Sequence, residues 1–241
     1  MAQVAPSRSA RLKRIYQAVE IAQEGARFAV RLDGRPAKAP GGRSLALPAR
    51  ALAEAVAEEW RAQGETVDLA SMPLTRLAVA ALDLEAGDAA PWRAVIVDYA
   101  RTDLLCYRAA APAALVARQA RAWTPYLDWA REALGARFAV TEGVVAVEQT
   151  PETIAAVEKA IAGLDAWRLA AARPATEIAG SAVLALALAR GAFPAAEIFA
   201  AARLDERFQA ERWGVDAEAA AREARLEAAF MALARWFALL G

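Results

Sequence analysis

The chain has 241 residues, of which 58% are hydrophobic and 24% are charged, so it can bury a sizeable core and is not intrinsically disordered. Its 29 lysines and arginines balance its 29 aspartates and glutamates, and a net charge of zero argues against a protein that wraps nucleic acid. The chain has no histidine and one cysteine, Cys106. These absences exclude Ser-His-Asp catalysis, histidine-ligated zinc, internal disulfides and cysteine-ligated metal clusters.

The N-terminal part of the chain predicts a small antiparallel sheet. Residues 15–22 are extended in character, and large apolar residues alternate with alanine and arginine over 28–32, which indicates a half-buried strand. Asp33-Gly34 is a dipeptide favoured in tight hairpin turns, because both central residues need a positive φ. A second turn at 40–42 precedes another short strand at 44–47.

A helix is predicted from Pro48 to Gly64. Proline is tolerated in the first turn of a helix, and glycine commonly follows the last turn. Leu52, Val56 and Trp60 recur every four residues, so this helix has one apolar face that can lie on the sheet.

Helical patterns dominate the rest of the chain. Helices are predicted over 73–84, 91–105, 125–135, 151–167 and 179–189, from Pro194 through Phe208, and from Asp216 to the C-terminus, with a candidate hairpin over 138–147. The polar residues 85–88 mark a candidate domain boundary. The sequence therefore predicts an α+β fold, with a small N-terminal antiparallel sheet and a packed helix over residues 1–86. A larger all-helical orthogonal bundle domain follows over residues 87–241.

Targeting and nucleotide-binding motifs are not recognised in the sequence. The longest apolar run, 181–189, is shorter than the ~18 residues that a membrane-spanning helix needs. The basic residues near the N-terminus precede no apolar segment, so they are not a secretory signal. Neither a GxGxxG loop nor a Walker loop is present. We expect a cytoplasmic protein.

Carboxylates are the main acid–base groups that remain, and two groups of them lie on predicted helices. Glu58 and Glu59 are adjacent, so they point in different directions and fit a solvated surface. In the second group, Glu211 shares a helix face with Leu204 and Phe208. Glu211 is therefore placed beside an apolar stripe, where pairing with an arginine is favoured over catalysis.

The other face of this helix carries Glu206, Gln209 and Trp213. An aromatic side chain beside a carboxylate and an amide is typical of a protein-binding surface. Ion pairing, catalysis and recognition of a protein surface all stay open for these residues. Cys106 has no histidine to act as its base, so we expect a buried packing role for it rather than a nucleophilic one.

Six short segments stand out along the chain: 32–36, 59–64, 72–78, 102–108, 180–181 with the apolar run after it, and 204–206 continuing to Gln209, Glu211, Trp213 and Gly214. In this order and spacing they resemble the ATP synthase F1 assembly chaperones that bind the α subunit (assembly factor 2). The resemblance extends from about Tyr16 to about Phe237. It implies a small N-terminal α/β domain, a helical C-terminal domain, and a role in holding newly made α subunit until it joins β in the F1 ring.

The resemblance also implies how such a chaperone works. It is not an enzyme and uses no cofactor, metal, nucleic acid or membrane insertion, and we expect a monomer. Its partner is the F1 α subunit, whose subunit interface it shields before handing α to β. Organellar relatives act in the mitochondrial matrix, whereas this chain has almost nothing before Tyr16 and fits a bacterial, cytoplasmic member.

The matching motifs mark two groups of positions. Client contact is expected from Glu206, Gln209, Glu211 and Trp213, together with Asp103 and Arg108, which either pair with each other or face a groove between domains. A structural role is expected for Trp60 in helix–sheet packing and for Pro73, Leu74, Thr75 and Arg76 at the domain junction. We predict that Glu206→Lys leaves the fold intact and weakens client binding.

Two other classes of function stay open from the residues alone. A carboxylate-dependent, magnesium-assisted enzyme requires Asp103, Asp205, Glu206 or Glu211 to converge in one pocket. An adaptor protein with a different client requires only a comparable binding surface.

Overall fold

The structure is a computed structural model that describes residues 12–143 and 145–241. The packing of the chain divides it into two units. The first unit ends at Val79 and the second begins at Ala80. A sheet of short strands with its helix precedes a mostly helical region, so the predicted α+β class is confirmed. The predicted domain boundary at 86/87 stays a prediction.

The N-terminal unit is built on a four-stranded antiparallel sheet. Its elements are β1 (Leu12–Lys13), β2 (Val19–Glu24), β3 (Arg27–Leu32), β4 (Arg35–Pro36), β5 (Ala46–Leu47), α1 (Arg50–Arg61), β6 (Thr66–Val67), a 3-10 turn (Leu69–Ser71) and the start of α2 (Pro73–Ala86). β3 is central, with β2 along one edge and β4 and β5 along the other, while β1 pairs with β6. Ala29 and Val30, neighbours in β3, are both fully buried, so the predicted one-sided alternation is not observed.

The predicted hairpin turn at Asp33-Gly34 is confirmed, with φ of 49° and 76° at the two residues. The Asp33 carboxylate also accepts hydrogen bonds from the backbone N–H groups of Gln17 and Ala18, the latter at 2.8 Å. These bonds lower the pKa of the Asp33 carboxyl, since they stabilise its ionised form. The turn residue therefore also fixes the chain that leads into β2.

The end of α1 differs from the prediction, because the helix stops at Arg61 rather than at Gly64. The buried Gln63 side chain replaces a glycine cap. Its Nε2 donates to the Glu59 carbonyl at 3.0 Å, and its Oε1 accepts from the Asp68 N–H at 2.7 Å. The start also differs, since Pro48 lies two residues before the helix.

Glu59 is not the solvated residue that its position beside Glu58 predicts. Its carboxylate accepts three hydrogen bonds from the first turn of α2: from Leu74 N at 2.8 Å, Thr75 N at 2.7 Å and the Thr75 hydroxyl at 2.8 Å. Backbone N–H groups at the start of a helix have no acceptor within the helix. Here the Glu59 carboxylate from α1 is the acceptor for two of them. Glu59 thus anchors the start of α2.

The second unit is mostly helical. Its elements are the rest of α2, α3 (Ala90–Arg101), a 3-10 turn (Leu104–Cys106), β7 (Tyr107–Arg108), α4 (Ala113–Trp129) continued by a π-helical segment (Ala130–Leu134), β8 (Thr141–Glu142), α5 (Pro151–Ala162), α6 (Ala166–Ala179), α7 (Ala182–Ala189), α8 (Ala195–Ala202), α9 (Leu204–Trp213) and α10 (Ala217–Leu240). Every residue of α7 from Ala182 to Leu188 is buried, as the small apolar run predicts. α7 packs against α3, α4, α6, α8 and α10.

Two predicted helices are each divided by a capping residue. The predicted helix 151–167 ends early, and Asp165 caps a new helix, α6, by accepting a backbone hydrogen bond at 2.7 Å. The predicted helix 179–189 contains the end of α6 and the whole of α7. Gly180 ends α6 with φ of 65°, and the Ser181 hydroxyl caps α7.

Proline 125 does not open a helix, contrary to the prediction. α4 begins earlier, at Ala113, and Pro125 lies in its interior, where buried neighbours on both sides compensate for the missing hydrogen bond. The predicted stop at Gly135 is confirmed, with φ of 75°.

Other boundaries also move. The predicted helix 91–105 ends at Arg101, and the helix predicted from Pro194 through Phe208 is divided at Arg203 into α8 and α9. The helix predicted from Asp216 is confirmed as α10, whose apolar positions pack into the helical unit rather than into a coiled coil.

The candidate hairpin over 138–147 is wrong for the residues that the structure describes. β8 pairs in parallel with β7, through Tyr107 with Thr141 and Arg108 with Glu142. Val144 and the basic N-terminal residues before Leu12 lie outside the described residues.

Candidate functional site

A groove between α9 and the first turns of α10 brings together three of the six positions predicted to contact a client. Glu206, Gln209 and Trp213 line it from α9, and Arg222 and Glu223 line it from α10. The cavity has a volume of about 1140 Å³. These three α9 residues are the ones that helical spacing assigns to a single face, and we call the cavity the α9–α10 groove.

Trp213 is the most notable side chain at this groove, because 85% of it is exposed. The neighbouring Val215 is 55% exposed. Trp123, Trp167 and Trp236, in contrast, are buried. Burying an exposed indole against a partner releases a large apolar area from water, so Trp213 is suited to binding a protein surface.

Ion pairs hold the two walls of the groove together. Arg203 donates to Glu206 at 2.6 Å and to Glu223 at 2.9 Å, and Arg207 reaches the same Glu223 carboxylate at 3.1 Å. Glu223 therefore links the start of α9 to α10. Sequence reasoning missed Arg203 and Glu223, although the i, i+3 spacing of Arg203 and Glu206 signals the first pair.

The groove has more negative than positive groups. Its lining carboxylates are Glu206, Asp216, Glu218, Glu223 and Glu227, and its lining guanidinium groups are Arg203, Arg207 and Arg222. Because two of the three arginines already pair with groove carboxylates, the remaining acidic groups favour a basic partner segment.

Glu211 lies on the other side of α9, away from the residues that line the groove. It pairs with Arg118 of α4 at 2.7 Å, beside the buried ring of Phe208. The arginine-pairing interpretation is therefore the one that the geometry matches. Both groups are about half exposed, so the pair joins α9 to α4 at the surface.

Asp103 is completely buried. Its carboxylate accepts hydrogen bonds from the backbone N–H groups of Leu105 and Val183, both at 3.1 Å, which joins the 3-10 turn to the start of α7. Burial raises the pKa of Asp103 to about 6, while hydrogen bonds from Ser181 and the nearby backbone act in the opposite direction. Its position is that of a buried structural link, and its contact with a client stays a prediction.

Arg108 does not pair with Asp103. Its Nε donates to the Leu105 carbonyl and one terminal nitrogen donates to the Gln119 carbonyl, both at 2.9 Å. The buried Gln119 side chain in turn donates to Asp205 at the start of α9, at 2.7 Å. Arg108 and Asp205 are thus connected through Gln119.

Cys106 is buried, as predicted. Burial raises the pKa of its thiol to about 12, and the nearby Asp103 carboxylate acts in the same direction. A thiol with this pKa is un-ionised near neutral pH and is a poor nucleophile.

The positions with a predicted structural role lie in the N-terminal unit. Trp60 is half-buried and contacts the Tyr16 ring edge-on, with 5.7 Å between ring centroids. Pro73 to Arg76 form the first turn of α2, where Leu74 and Thr75 are buried and bonded to Glu59 while Arg76 is exposed. Their role at a domain junction stays a prediction.

The carboxylates named for an enzyme do not converge in one pocket. Asp103 is bonded to backbone amides, Asp205 to Gln119, Glu206 to Arg203 and Glu211 to Arg118. Over residues 12–143 and 145–241 there is also no group of three or more cysteine, aspartate or glutamate side chains placed to hold a metal ion.

Within residues 12–143 and 145–241, no helix is both long and apolar enough to cross a bilayer.

Comparison with known proteins gives consistent matches. A family model described as ATP12 chaperone protein matches residues 13–131. The crystal structure of Atp12 from Paracoccus denitrificans superposes with a TM-score of 0.90 at 42% identity, covering 95% of this chain and 99% of that one. A second crystal structure, from Agrobacterium tumefaciens, gives 0.89 at 41% identity, covering 95% and 86%. The mitochondrial protein atp12 of Schizosaccharomyces pombe is 25% identical over 197 residues, which is 77% of this chain and 68% of the relative.

Proposed function

The chain belongs to the ATP12 chaperone family, whose members are non-enzymatic assembly factors for ATP synthase, and from this premise we propose that it binds the free α subunit of F1-ATPase. It shields the surface of α that later contacts β, and it releases α when β arrives. It acts as a cytoplasmic monomer. An enzymatic role, the main alternative from the residues, does not fit the family.

The physical requirements of shielding a subunit interface support this proposal. An isolated subunit exposes an interface that is normally buried, and such a surface is prone to aggregation. A chaperone that covers it needs apolar and aromatic contacts with polar groups for specificity, and it needs no acid–base chemistry. Trp213, Glu206 and Gln209 offer such contacts, and a chain without histidine lacks nothing that this role needs.

The observation that carries the proposal is the exposed indole of Trp213 at the α9–α10 groove. Tryptophans that dominate binding energy lie in the centre of interfaces, with polar groups around them. Glu206 and Gln209 supply such groups in the same groove, and Glu211 offers a separate polar contact with α on the side of α9 that faces Arg118. We place the main contact with α here, and we assign Asp103 an indirect role, through the 3-10 turn and the start of α7 that it joins.

The first test is co-purification from cells. The tagged chain is expressed with the α subunit of its own organism, first alone and then together with β. We expect a soluble complex with α that is lost when β is supplied. Aggregation of α without a complex would argue against the proposed client and favour an adaptor for another protein. Light scattering of the purified chain measures whether it is a monomer.

Trp213→Ala tests the binding site itself. We expect α capture to weaken by ~30-fold or more, the loss of about 2 kcal/mol that is typical of an interface hot spot. The thermal midpoint should stay unchanged, because the side chain is 85% exposed. Ile15→Ala, which truncates another exposed apolar side chain (89%), serves as the control and should bind α normally.

Glu206→Lys tests the acidic character of the groove. It replaces one carboxylate beside Arg203 with a second positive charge, so a basic segment of α is repelled while the exposed position keeps the fold intact. Glu54→Lys, which also removes a surface carboxylate paired with an arginine, is the matched control. Normal capture of α by a folded Glu206→Lys protein would show that Glu206 is not a contact.

A further inference from the structure

A second cavity in the helical unit has the opposite electrostatic character from the α9–α10 groove. It has a volume of about 410 Å³. We call it the arginine cleft and define it by Arg108, Arg131, Arg137, Asp128, Phe138 and Val140, all of which line it. α4 with its π-helical continuation forms one wall, and the chain between that helix and β8 forms another.

Among the residues that the structure describes, two of the three guanidinium groups in the cleft have no carboxylate partner. Arg131 is neutralised by Asp128 at 3.0 Å and by Glu132 at 3.2 Å. Arg137 is exposed, and no acceptor for its guanidinium lies within residues 12–143 and 145–241. Arg108 donates to the carbonyls of Leu105 and Gln119, and to no carboxylate of the described residues. The cleft therefore retains positive charge.

Arg108 is poised to accept an additional partner. A guanidinium has five N–H groups, and the two carbonyl bonds leave most of them without an acceptor in the part of the chain that the structure describes. Arg108 is also half-buried, and burial lowers the pKa of its guanidinium. A cation that has lost water without gaining an anion is stabilised strongly when a carboxylate arrives.

The cleft also has an apolar part. Val140 is 47% exposed, and the half-buried ring of Phe138 lies in the same lining. A site with two uncompensated guanidinium groups beside apolar side chains matches a peptide that carries a carboxylate next to a hydrophobic residue. Guanidinium groups bind carboxylates in a bidentate manner, which adds geometric selectivity.

We propose that the arginine cleft binds an acidic, partly apolar segment of the client, with a client carboxylate between Arg108 and Arg137. This inference rests on the proposed function, because it assigns a second contact on the same client. Together with the acidic α9–α10 groove, the cleft gives the helical unit two docking sites of opposite charge. Two docking sites of opposite charge fix the orientation of a client, because a client bound in the reverse orientation would place like charges together.

The test uses the full chain, the α subunit and two charge-reversal variants. Arg137→Glu is expected to weaken α capture by ~10–100-fold and to flatten its salt dependence, because a charge-assisted contact becomes a repulsive one. Arg121→Glu makes the same change at an exposed arginine that lies in α4 and does not line the cleft, so it should behave like the unmutated chain.

An array of overlapping peptides from the α subunit identifies the segment. The unmutated chain and Arg121→Glu should bind peptides that carry aspartate or glutamate beside apolar residues, and Arg137→Glu should not bind them.

Equal capture of α by all three proteins overturns the cleft assignment while the proposed function stands. No capture of α by the unmutated chain overturns the proposed function itself. Arg137-dependent binding of a single-stranded oligonucleotide, with α capture unaffected, would assign the cleft to nucleic acid instead.

Discussion

Glu59 shows how one carboxylate connects two helices of the N-terminal unit. It lies in the last turn of α1 and accepts hydrogen bonds from the backbone N–H groups of Leu74 and Thr75 at the start of α2. An acidic side chain at a helix N-terminus also interacts favourably with the helix dipole. The residue is therefore a helix cap that comes from a distant part of the chain.

Glu59→Ala should destabilise the protein by about 1–3 kcal/mol, because three donors at the start of α2 lose their acceptor. Urea denaturation followed by circular dichroism measures the change. Glu58→Ala, at the exposed neighbouring position, should change the free energy of unfolding by less than about 0.5 kcal/mol. Equal effects of the two variants would contradict the capping role.

The sequence predicts residue roles well when they depend on near neighbours. Helical spacing placed Glu206, Gln209 and Trp213 on one face of α9, and Asp33-Gly34 predicted the hairpin turn, because both depend on residues within a few positions. The roles of Glu59 and Asp103 depend on partners 15 to 80 positions away, as in the Asp103 bond to Val183. No local pattern contains that information.

Among the elements, the turn between α9 and α10 determines how the groove is formed. Gly214 follows α9 with φ of 81° and ψ of 169°, a conformation that side-chain-bearing residues rarely adopt. It lies between the exposed residues Trp213 and Val215. The backbone conformation of one glycine therefore orients the most exposed apolar side chains of the groove.

Gly214→Ala should cost on the order of 1–3 kcal/mol and weaken α capture, because the turn must relax from a conformation that alanine avoids. Apart from the two adjacent residues, no atom of the described chain lies within 4 Å of the added Cβ, so the cost comes from the backbone conformation. Thermal unfolding and co-purification with α measure the two effects. Gly64→Ala, with an ordinary φ and equally open surroundings, should be neutral or slightly stabilising.

Element boundaries were predicted less well than the elements themselves. The sequence indicates helices over most of residues 73–240, but capping at Asp165 and Ser181 divides two predicted helices. Thr124-Pro125 predicts a helix start because proline favours that position, yet α4 continues through Pro125 with Trp123 and Tyr126 buried beside it. Propensity is a weak preference, and tertiary packing overrides it.

For the whole molecule, the buried Asp103 makes stability depend on pH. Burial raises its pKa to about 6 in the folded protein, whereas an exposed aspartate titrates near 4. The folded state therefore binds this proton more tightly than the unfolded state does. The stabilisation is fully present below about pH 4 and is lost as the pH rises through about 6.

We expect the free energy of unfolding of the unmutated chain, relative to Asp103→Asn, to fall between pH 4 and pH 7. Urea titrations of both proteins at several pH values measure this difference, because the variant lacks the titrating group. A difference that grows with pH would mean that the amide donors of Leu105 and Val183 outweigh burial and lower the pKa of Asp103.

The buried helix α7 has a consequence for how the binding surface comes into being. A helix of eight residues is unstable by itself in water, and α7 has no polar face to present to solvent. It forms only when the five helices around it are in place, and one of these, α10, is a wall of the α9–α10 groove. We therefore expect the helical unit to fold cooperatively, so that a partly folded chain lacks the α9–α10 groove.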